Sequence, residues 1–455
     1  MIKNLPLAAL GISAILVVGT IFLLIWNKPI FVIYMQFAFS CFMRFLYNEL
    51  HFPDAIKYFS DFLTIILLIQ VILQFRRTKT LNIRKPLFFI ILFLLASIVS
   101  ILLNKISLIF FIWGIRVNFR FFVFFLACTI FLKQSDIDKL INFMFILLPI
   151  NFILVIFQYF ILGNRDDYIG GLYGTMQGCN SELVLYLTIV MIITIIFYIY
   201  NKIGNRKIFT YLLMICLIGV LAELKIIFFV LPLFIFIIFI LSFPNKRAIL
   251  ISIAGVGLLI ISLPLFLFLY PNWSNFFSVD QILHYISDAN YGSNVSTSLN
   301  RMSAGSYIMQ NILINPIQKL FGIGLGNANV FLSIPSRFYQ RYHELNYIYF
   351  LYSFLLIEIG IIGLIIYCLF FASIIYESIR IRKKMKTNDN YYYCYICFLL
   401  SLFVFQMIIY NVVLNMDGST IIYFIMSIPF IMEKEMYERN ISLTNNRIFS
   451  RQSKT

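Results

Sequence analysis

Charged residues are scarce in this sequence. Only 12% of its 455 residues are Asp, Glu, Lys or Arg, whereas a soluble domain usually has about a quarter. Hydrophobic residues make up 62%, and the mean hydropathy is +0.93. A water-soluble fold of this composition would expose more apolar surface than water tolerates. The shortage of charge therefore excludes an ordinary soluble protein.

The sequence also lacks features that are typical of several other classes of protein. The segments of alternating hydrophobicity that mark outer-membrane barrels are missing. Cysteines lie mostly within apolar runs, and the CxxC pair Cys394 and Cys397 has no His or carboxylate nearby, which favours packing over metal or redox chemistry. No cleavable signal peptide is evident, because residues 5–26 form a long first span instead of a short apolar stretch before a cleavage site.

The sequence has instead a series of apolar runs, each long enough to cross about 30 Å of hydrocarbon as a helix. This pattern predicts an all-α polytopic membrane protein with about 12–13 transmembrane helices. Whether 29–47 crosses fully stays open, because it contains Arg44. The predicted spans lie near 5–26, 29–47, 54–75, 86–104, 117–133, 137–162, 181–200, 207–222, 225–243, 248–270, 345–376, 391–414 and 419–432.

The basic residues predict the orientation. The net charge of +16 comes mainly from short loops, so it indicates membrane topology and not nucleic-acid binding. One set of loops, with the tail from 433, holds 22 Lys and Arg, and the opposite set holds eight. We therefore expect the first set and the C-terminus to be cytoplasmic. The N-terminal side depends on the doubtful second span.

The longest polar segment, residues 271–345, lies on the opposite, outward side. It divides the chain into an N-terminal bundle (1–270), this large loop (271–345), C-terminal helices (346–432) and a tail (433–455). Its aromatic and polar residues suit sugars, and RMSAGSYIMQNIL predicts an amphipathic helix lying on the bundle. A loop that merely covers the helices is the alternative, although long loops without a role are uncommon.

Ionisable residues near or within apolar runs are candidates for function. Glu223 and Lys225 lie at a tight outward turn, where an interfacial ion pair is the alternative. Arg116 and Arg120 lie one helical turn apart, so both face one side. Such a pair can meet an anionic headgroup or a diphosphate, and anchoring to lipid phosphates is the alternative.

The large loop and the span after it supply further candidates. Arg301 offers the planar, bidentate donors that suit a diphosphate. His343, Glu344 and Asn346 lie at the mouth of a long span, and Glu358 lies deeper within it. His is the natural general base near neutral pH, although a hydrogen-bonded cap is the alternative.

Two short motifs carry less information. Gly322, Gly324 and Gly326 in FGIGLGN lack the spacing of a dinucleotide fingerprint, and predict a flexible backbone turn. The NVS at 294–296 fits a glycosylation sequon, but a three-residue match has little weight.

The order of these elements resembles the bacterial O-antigen polymerase and O-antigen ligase superfamily. NPIQKLFGIGLGNANVF is similar to the family's P-x-x-x-lFG-x-G-x-G stretch, and the H-x-x-N before a helix with E-x-G corresponds to His343, Asn346, Glu358 and Gly360. Upstream, GLYGTMQGCNSELVLYLTIV resembles the Gly-rich loop of the family, with Asn180 at the Asn before a helix. The resemblance covers roughly residues 165–365.

The resemblance implies a metal-independent glycosyltransferase of the membrane GT-C type that uses no cofactor. Its substrates would be undecaprenyl-diphosphate-linked glycans in a bacterial inner membrane, with membrane lipids and a chain-length regulator protein as partners and no nucleic acid. By resemblance, His343 is the base or positions the acceptor, and Arg301 binds the diphosphate. Lys225 replaces the Arg that ligase-like members usually carry, and Lys lacks the fork of Arg, which favours polymerase over ligase.

The predicted function is therefore a polymerase that joins lipid-linked repeat units into O-antigen or capsular chains at the periplasmic face. The alternatives are ligation of the polymer to lipid A–core, and transport of the lipid-linked oligosaccharide. A transporter would bind near the midplane, often between repeated halves, and neither internal halves nor charges along a pathway are evident in the sequence.

Overall fold

The computed structural model describes residues 28–75, 83–242, 245–271, 299–331, 334–385 and 390–452, together with residues 11, 15–19 and 21–22. Most of the predicted span 5–26, the polar first part of the large loop and the sequon at 294–296 therefore lie outside the described residues.

Long apolar helices form nearly all of the described chain. The helices are α1 (Pro29–Asn48), α2 (Phe59–Phe75), α3 (Arg84–Asn104), α4 (Leu108–Phe131), α5 (Gln134–Phe160), α6 (Asn180–Ile199), α7 (Asn205–Leu221), α8 (Lys225–Ser242), α9 (Lys246–Leu269), α10 (Ala304–Tyr307), α11 (Pro316–Phe321), α12 (Arg337–Tyr342), α13 (Leu351–Lys384), α14 (Tyr392–Tyr410) and α15 (Thr420–Gln452). Two short strands, β1 (Val330–Phe331) and β2 (Ile334–Pro335), pair antiparallel with Val330 opposite Pro335.

The predicted class, an all-α polytopic membrane protein, is confirmed. Within the described ranges nine helices are long and apolar enough to cross a membrane: α1, the segment Ala55–Gln74 that contains most of α2, α3, α4, α5, α6, α9, α13 and α14. Over Lys225–Ile240, α8 is a shorter apolar helix. The predicted spans 207–222 and 419–432 coincide with α7 and the start of α15.

Two predicted helix starts are wrong. The span predicted at 117–133 begins at Leu108, so Arg116 lies inside α4 and not in a loop. The span predicted at 345–376 begins at Leu351 and continues to Lys384. At about 1.5 Å per residue its 34 residues extend about 50 Å, longer than a bilayer core is thick.

The side-chain contacts define two ends of the bundle. At one end, here called the loop end, lie the connections 49–58, 105–107, 161–179, 222–224 and 411–419 and, of the large loop, the described residues 270–271, 299–331 and 334–350. At the other, the basic end, α5 begins, α13 ends, and Arg380 and Lys384 pair with Glu433 at 2.9 Å each. These two ends are the ones expected when successive helices pack antiparallel, because each short connection turns the chain back into the bundle.

Helix α6 forms the centre of the bundle. It packs against α5, α7, α8, α9 and α14, and every residue from Glu182 to Ile199 is buried. Its run of Ile, Leu and Val residues explains this position, because a helix that is apolar on all sides is stable only when other elements surround it. The first turn of α6 therefore carries Glu182 into the middle of the loop end.

Candidate functional site at the loop end

The segment Tyr410–Ser419, from the last residue of α14 to the residue before α15, links several charged residues of the loop end. The Nε atom of Arg301 donates to the carbonyl of Tyr410 at 2.8 Å, and Arg120 donates to the carbonyl of Asn415 at 3.1 Å. The backbone N–H of Gly418 donates to Glu182 at 2.8 Å. This segment therefore connects the large loop to α4 and to the central helix α6.

Arg301 is held by aromatic rings as well as by hydrogen bonds. Its guanidinium carbon lies 4.6 Å from the ring centre of Tyr410 and 5.5 Å from that of Phe350. Its own carbonyl accepts a hydrogen bond from the hydroxyl of Tyr352. Because a planar guanidinium stacks well on aromatic faces, these contacts fix the cation at the edge of the bundle.

His343 is exposed at the loop end. Its Nδ1 lies 3.2 Å from the carbonyl of Tyr339, and its ring stacks on that of Tyr339 at 5.3 Å. A carbonyl can only accept, so this bond requires the proton on Nδ1 and leaves Nε2 as the acceptor nitrogen. A general base needs an unprotonated nitrogen, and in the neutral ring that nitrogen is Nε2 here. The arrangement is thus compatible both with a base and with the predicted alternative of a hydrogen-bonded cap.

The residues next to His343 shape the chain. Glu344 is exposed, within the short helical turn His343–Leu345. Asn346 is left-handed, with φ 58°, a conformation that Asn tolerates better than most residues. It separates this turn from the next, Tyr347–Tyr349, before α13 begins. In this structure Asn346 therefore redirects the backbone toward α13.

One hydrogen bond joins the backbone segments that carry Arg301 and His343. The N–H of Leu299 donates to the carbonyl of Leu345 at 3.0 Å, which joins the residues two positions before Arg301 and two positions after His343. The following helical segment has the amphipathic pattern predicted for it. Ala304, Ile308 and Ile312 are buried, whereas the intervening Ser306, Gln310 and Asn311 are exposed.

Arg116 and Arg120 both pair with carboxylates. Arg116 Nε donates to Asp61 at 2.7 Å, and Arg120 Nη1 donates to Asp417 at 2.6 Å. Nearby, Arg44 Nε lies 2.5 Å from Glu182, whose side chain is fully buried. We call these six residues the arginine–carboxylate network. Three cations face three anions, so the network has no net charge and ties α1, α2, α4 and α6 to the segment before α15.

Glu223 and Lys225 form the interfacial ion pair that was the alternative prediction, with 2.9 Å between Nζ and Oε1. Burial, together with a hydrogen bond with the carboxyl of Asp166, raises the pKa of Glu223 to about 7 against the opposing effect of Lys225. On the same 161–179 connection, Asp167 accepts from Asn180 at 2.7 Å. Because the Glu223 carboxyl is protonated below about pH 7, the turn that holds Glu223 and Lys225 carries more positive charge below this pH than above it.

Glu358 is fully buried and holds the glycine-rich segment Gly322–Ala328. Its Oε1 accepts from the N–H of Ala328 at 3.3 Å, and its carbonyl accepts from the N–H of Gly324 at 2.9 Å. Its carboxylate therefore faces the backbone of this segment.

The glycine-rich segment forms a backbone turn, as predicted, and it is closely packed against α4 and α13. Gly360 interrupts α13 with φ 70°, and a Cβ there would lie 2.3 Å from the carbonyl oxygen of Leu320. A Cβ on Gly326 would lie 1.8 Å from the carbonyl oxygen of Phe110. Only glycine allows these backbones to approach so closely.

The structure thus groups the predicted residues by position. Arg301 and His343 lie on hydrogen-bonded segments of the large loop, and Arg116 and Arg120 lie in the network. Glu223 contacts Asp166 and Asn180 contacts Asp167, both on the 161–179 connection, and Lys225 pairs with Glu223. Sequence reasoning missed Asp61, Glu182 and Asp417, and it treated Arg44 only as a reason to doubt a span. Charges inside or beside apolar runs are the signal that could have found all four.

The fold defines the chain as a multi-pass helical membrane protein. No family model matches the chain, and neither a curated protein nor a solved structure matches it.

Proposed function

We propose that the chain is a membrane glycosyltransferase that polymerises oligosaccharide repeat units linked to a polyprenyl diphosphate, with the loop end on the periplasmic side. The observation that carries the proposal is the placement of His343 and Arg301 on adjacent backbone segments of the loop end, joined by the Leu299–Leu345 hydrogen bond. One residue can accept a proton and the other carries a fixed positive charge.

The reaction requires those two roles. An acceptor hydroxyl attacks the anomeric carbon of the donor glycan, and its proton passes to Nε2 of His343. The bond between the anomeric carbon and the diphosphate oxygen breaks, and the lipid diphosphate leaves with the electron pair. Arg301 stabilises the negative charge on that leaving group. Membrane anchoring of both substrates fits a site at the edge of a helix bundle.

The remaining cations contribute unequally. Arg116 and Arg120 already share their charge with Asp61 and Asp417, so a diphosphate would have to compete with carboxylates for them. Lys225 is paired with a carboxyl group whose pKa is about 7, so that carboxyl group is partly protonated near neutral pH. We therefore assign the diphosphate first to Arg301 and next to Lys225, and assign the network mainly to holding the helix ends.

The distribution of buried charge favours an enzyme over a transporter. Among the described residues six charged side chains are buried, and they lie at the two ends: Glu182, Glu223 and Glu358 at the loop end, and Asp136, Glu377 and Lys434 at the basic end. A carrier of a charged lipid-linked glycan would need polar groups along its path. Between the ends, α6 fills the centre with side chains that are apolar apart from two threonines and two tyrosines, and none of them is charged.

The decisive experiment is polymerisation in vitro with purified protein and a defined lipid-linked repeat unit, read as chain length. A ladder of lipid-linked products supports the polymerase. Transfer of preformed polymer to lipid A–core, without a ladder, would instead identify a ligase. Movement of the labelled glycolipid across vesicles without new glycosidic bonds would identify a transporter.

Variants test the site within the same assay. His343→Ala and Arg301→Ala should each abolish the ladder and leave the single repeat unit. His51→Asn is a matched control, because His51 is also exposed at the loop end and its φ of 52° suits Asn. Normal ladders from both Ala variants would refute this site.

Arg301→Lys separates charge from geometry. Lys keeps the charge but loses the planar, stacked fork, so we expect the ladder to shorten strongly. Arg341→Lys, a change at an exposed neighbour over the ring of Tyr342, should have no effect.

A further inference from the structure

A cavity of about 700 Å³ lies at the basic end, far from the site proposed above. Helices α5 and α7 contribute its walls, and the chain around Asn390–Tyr393 closes one side. Its lining changes from polar to apolar along α5, because Gln134, Asp138, Asn142 and Ile146 follow one face of that helix. From Gln134 to Ile146 this face extends about 18 Å along the helix axis.

The polar part of the cavity carries two lysines. Lys202 precedes α7 and Lys207 lies in its first turn, and both are exposed to the cavity mouth. Asp138 on the opposite wall already accepts a hydrogen bond from the hydroxyl of Tyr393. Two ammonium groups therefore face one engaged carboxylate, so the mouth attracts an anion.

The apolar part opens toward the side of the bundle. Ile146 is 61% exposed although it lies three turns inside a helix that is apolar enough to cross a membrane, so this wall faces lipid chains. Phe145 stacks on Tyr211 at 5.2 Å and forms the inner wall. A ligand that follows the lining would have a charged head near the lysines and a hydrocarbon tail beside Ile146.

We propose that this cavity binds an anionic phospholipid, with its phosphate between Lys202 and Lys207 and an acyl chain along Phe145 and Ile146. Basic pockets between transmembrane helices are suited to such headgroups because the phosphate accepts charge-assisted hydrogen bonds while the tail remains in hydrocarbon. This inference is independent of the proposed glycosyltransferase activity, since it uses none of the loop-end residues.

Native mass spectrometry of the full chain with phosphatidylglycerol tests the proposal. Lys202→Gln/Lys207→Gln should lower the retained phosphatidylglycerol by roughly tenfold. Arg206→Gln is the matched control, because Arg206 is exposed on the same turn of α7 but does not line the cavity; it should retain the lipid. Asn142→Trp, which fills the cavity without changing its charge, should also lose the lipid.

Three results would overturn the proposal. The first is unchanged retention in both the lysine double variant and Asn142→Trp. The second is an equal loss in Arg206→Gln, which would indicate general surface attraction. The third is displacement of the lipid by inorganic phosphate at similar concentration, which would indicate a free-anion site without a role for the acyl chain.

Discussion

Replacing Gly326 by Ala should destabilise the protein strongly, because two separate costs act at this position. The φ of +87° costs an L-residue about 1–2 kcal/mol. The added Cβ would also lie 1.8 Å from the carbonyl oxygen of Phe110, a backbone atom of α4 that cannot rotate away. Forcing an extra carbon into a packed site costs about 1–3 kcal/mol more. We expect a total of about 2–5 kcal/mol.

Two other glycines separate these costs. Gly178 has φ +80°, but nothing lies within 4 Å of the place that a Cβ would take, so Gly178→Ala should show the conformational cost alone, about 1–2 kcal/mol. Gly257 lies inside α9, and a Cβ there would also have nothing within 4 Å. Gly257→Ala should stabilise the protein by up to about 1 kcal/mol, because Ala is the better helix former.

Unfolding in detergent, followed by tryptophan fluorescence, measures the difference. Trp113 is a local probe, since its ring lies 5.2 Å from that of Phe331, three residues after the glycine-rich segment. From most to least stable, the expected order is Gly257→Ala, wild type, Gly178→Ala and Gly326→Ala. If Gly326→Ala were only as destabilised as Gly178→Ala, the segment would not be docked against α4 and the reasoning would be refuted.

Two further predictions concern the charged groups of the loop end. Arg120→Met and Asp417→Asn should each destabilise the protein by about 3 kcal/mol, since each leaves a largely buried charge unpaired. The double variant should recover part of that loss in the same unfolding assay and should still polymerise. A double variant that is stable but inactive would show that Arg120 contacts substrate. Burial lifts the pKa of Glu223 from 4.5 to about 7, so between these pH values the folded state binds more protons than the unfolded state and stability falls as pH rises. Glu223→Gln should remove this fall, and an unchanged pH–stability curve would contradict the assignment.

The helices were largely predictable from the sequence, because long apolar runs have few alternatives in a bilayer. The span predicted at 181–200 is Asn180–Ile199, and that predicted at 248–270 is Lys246–Leu269. The error at α4 has a specific cause. The charge of Arg116 predicts a loop, but Asp61 on another helix neutralises it, and that partnership is invisible in a single sequence.

The candidate site was predictable only in part. The sequence identified Arg301 and His343 as residue types suited to the proposed chemistry, and in the structure the bond between Leu299 and Leu345 joins the two backbone segments that carry them. The sequence did not reveal that the Glu358 side chain is directed at the backbone of the glycine-rich segment. That contact depends on the interruption of α13 at Gly360, which sequence periodicity alone does not show.

The loop end combines a fixed scaffold with an exposed edge, and the two have different chemical roles. The arginine–carboxylate network is neutral and mostly buried, so its ion pairs form within the bundle and it positions the segment from Tyr410 to Ser419. Arg301 is anchored to the first residue of that segment, whereas His343 is exposed. A transferase that accepts successive sugar hydroxyls needs such an arrangement, because the diphosphate must be held in a constant position while the acceptor side stays open to a growing chain. The buried charges therefore matter for the proposed reaction through the position they give Arg301.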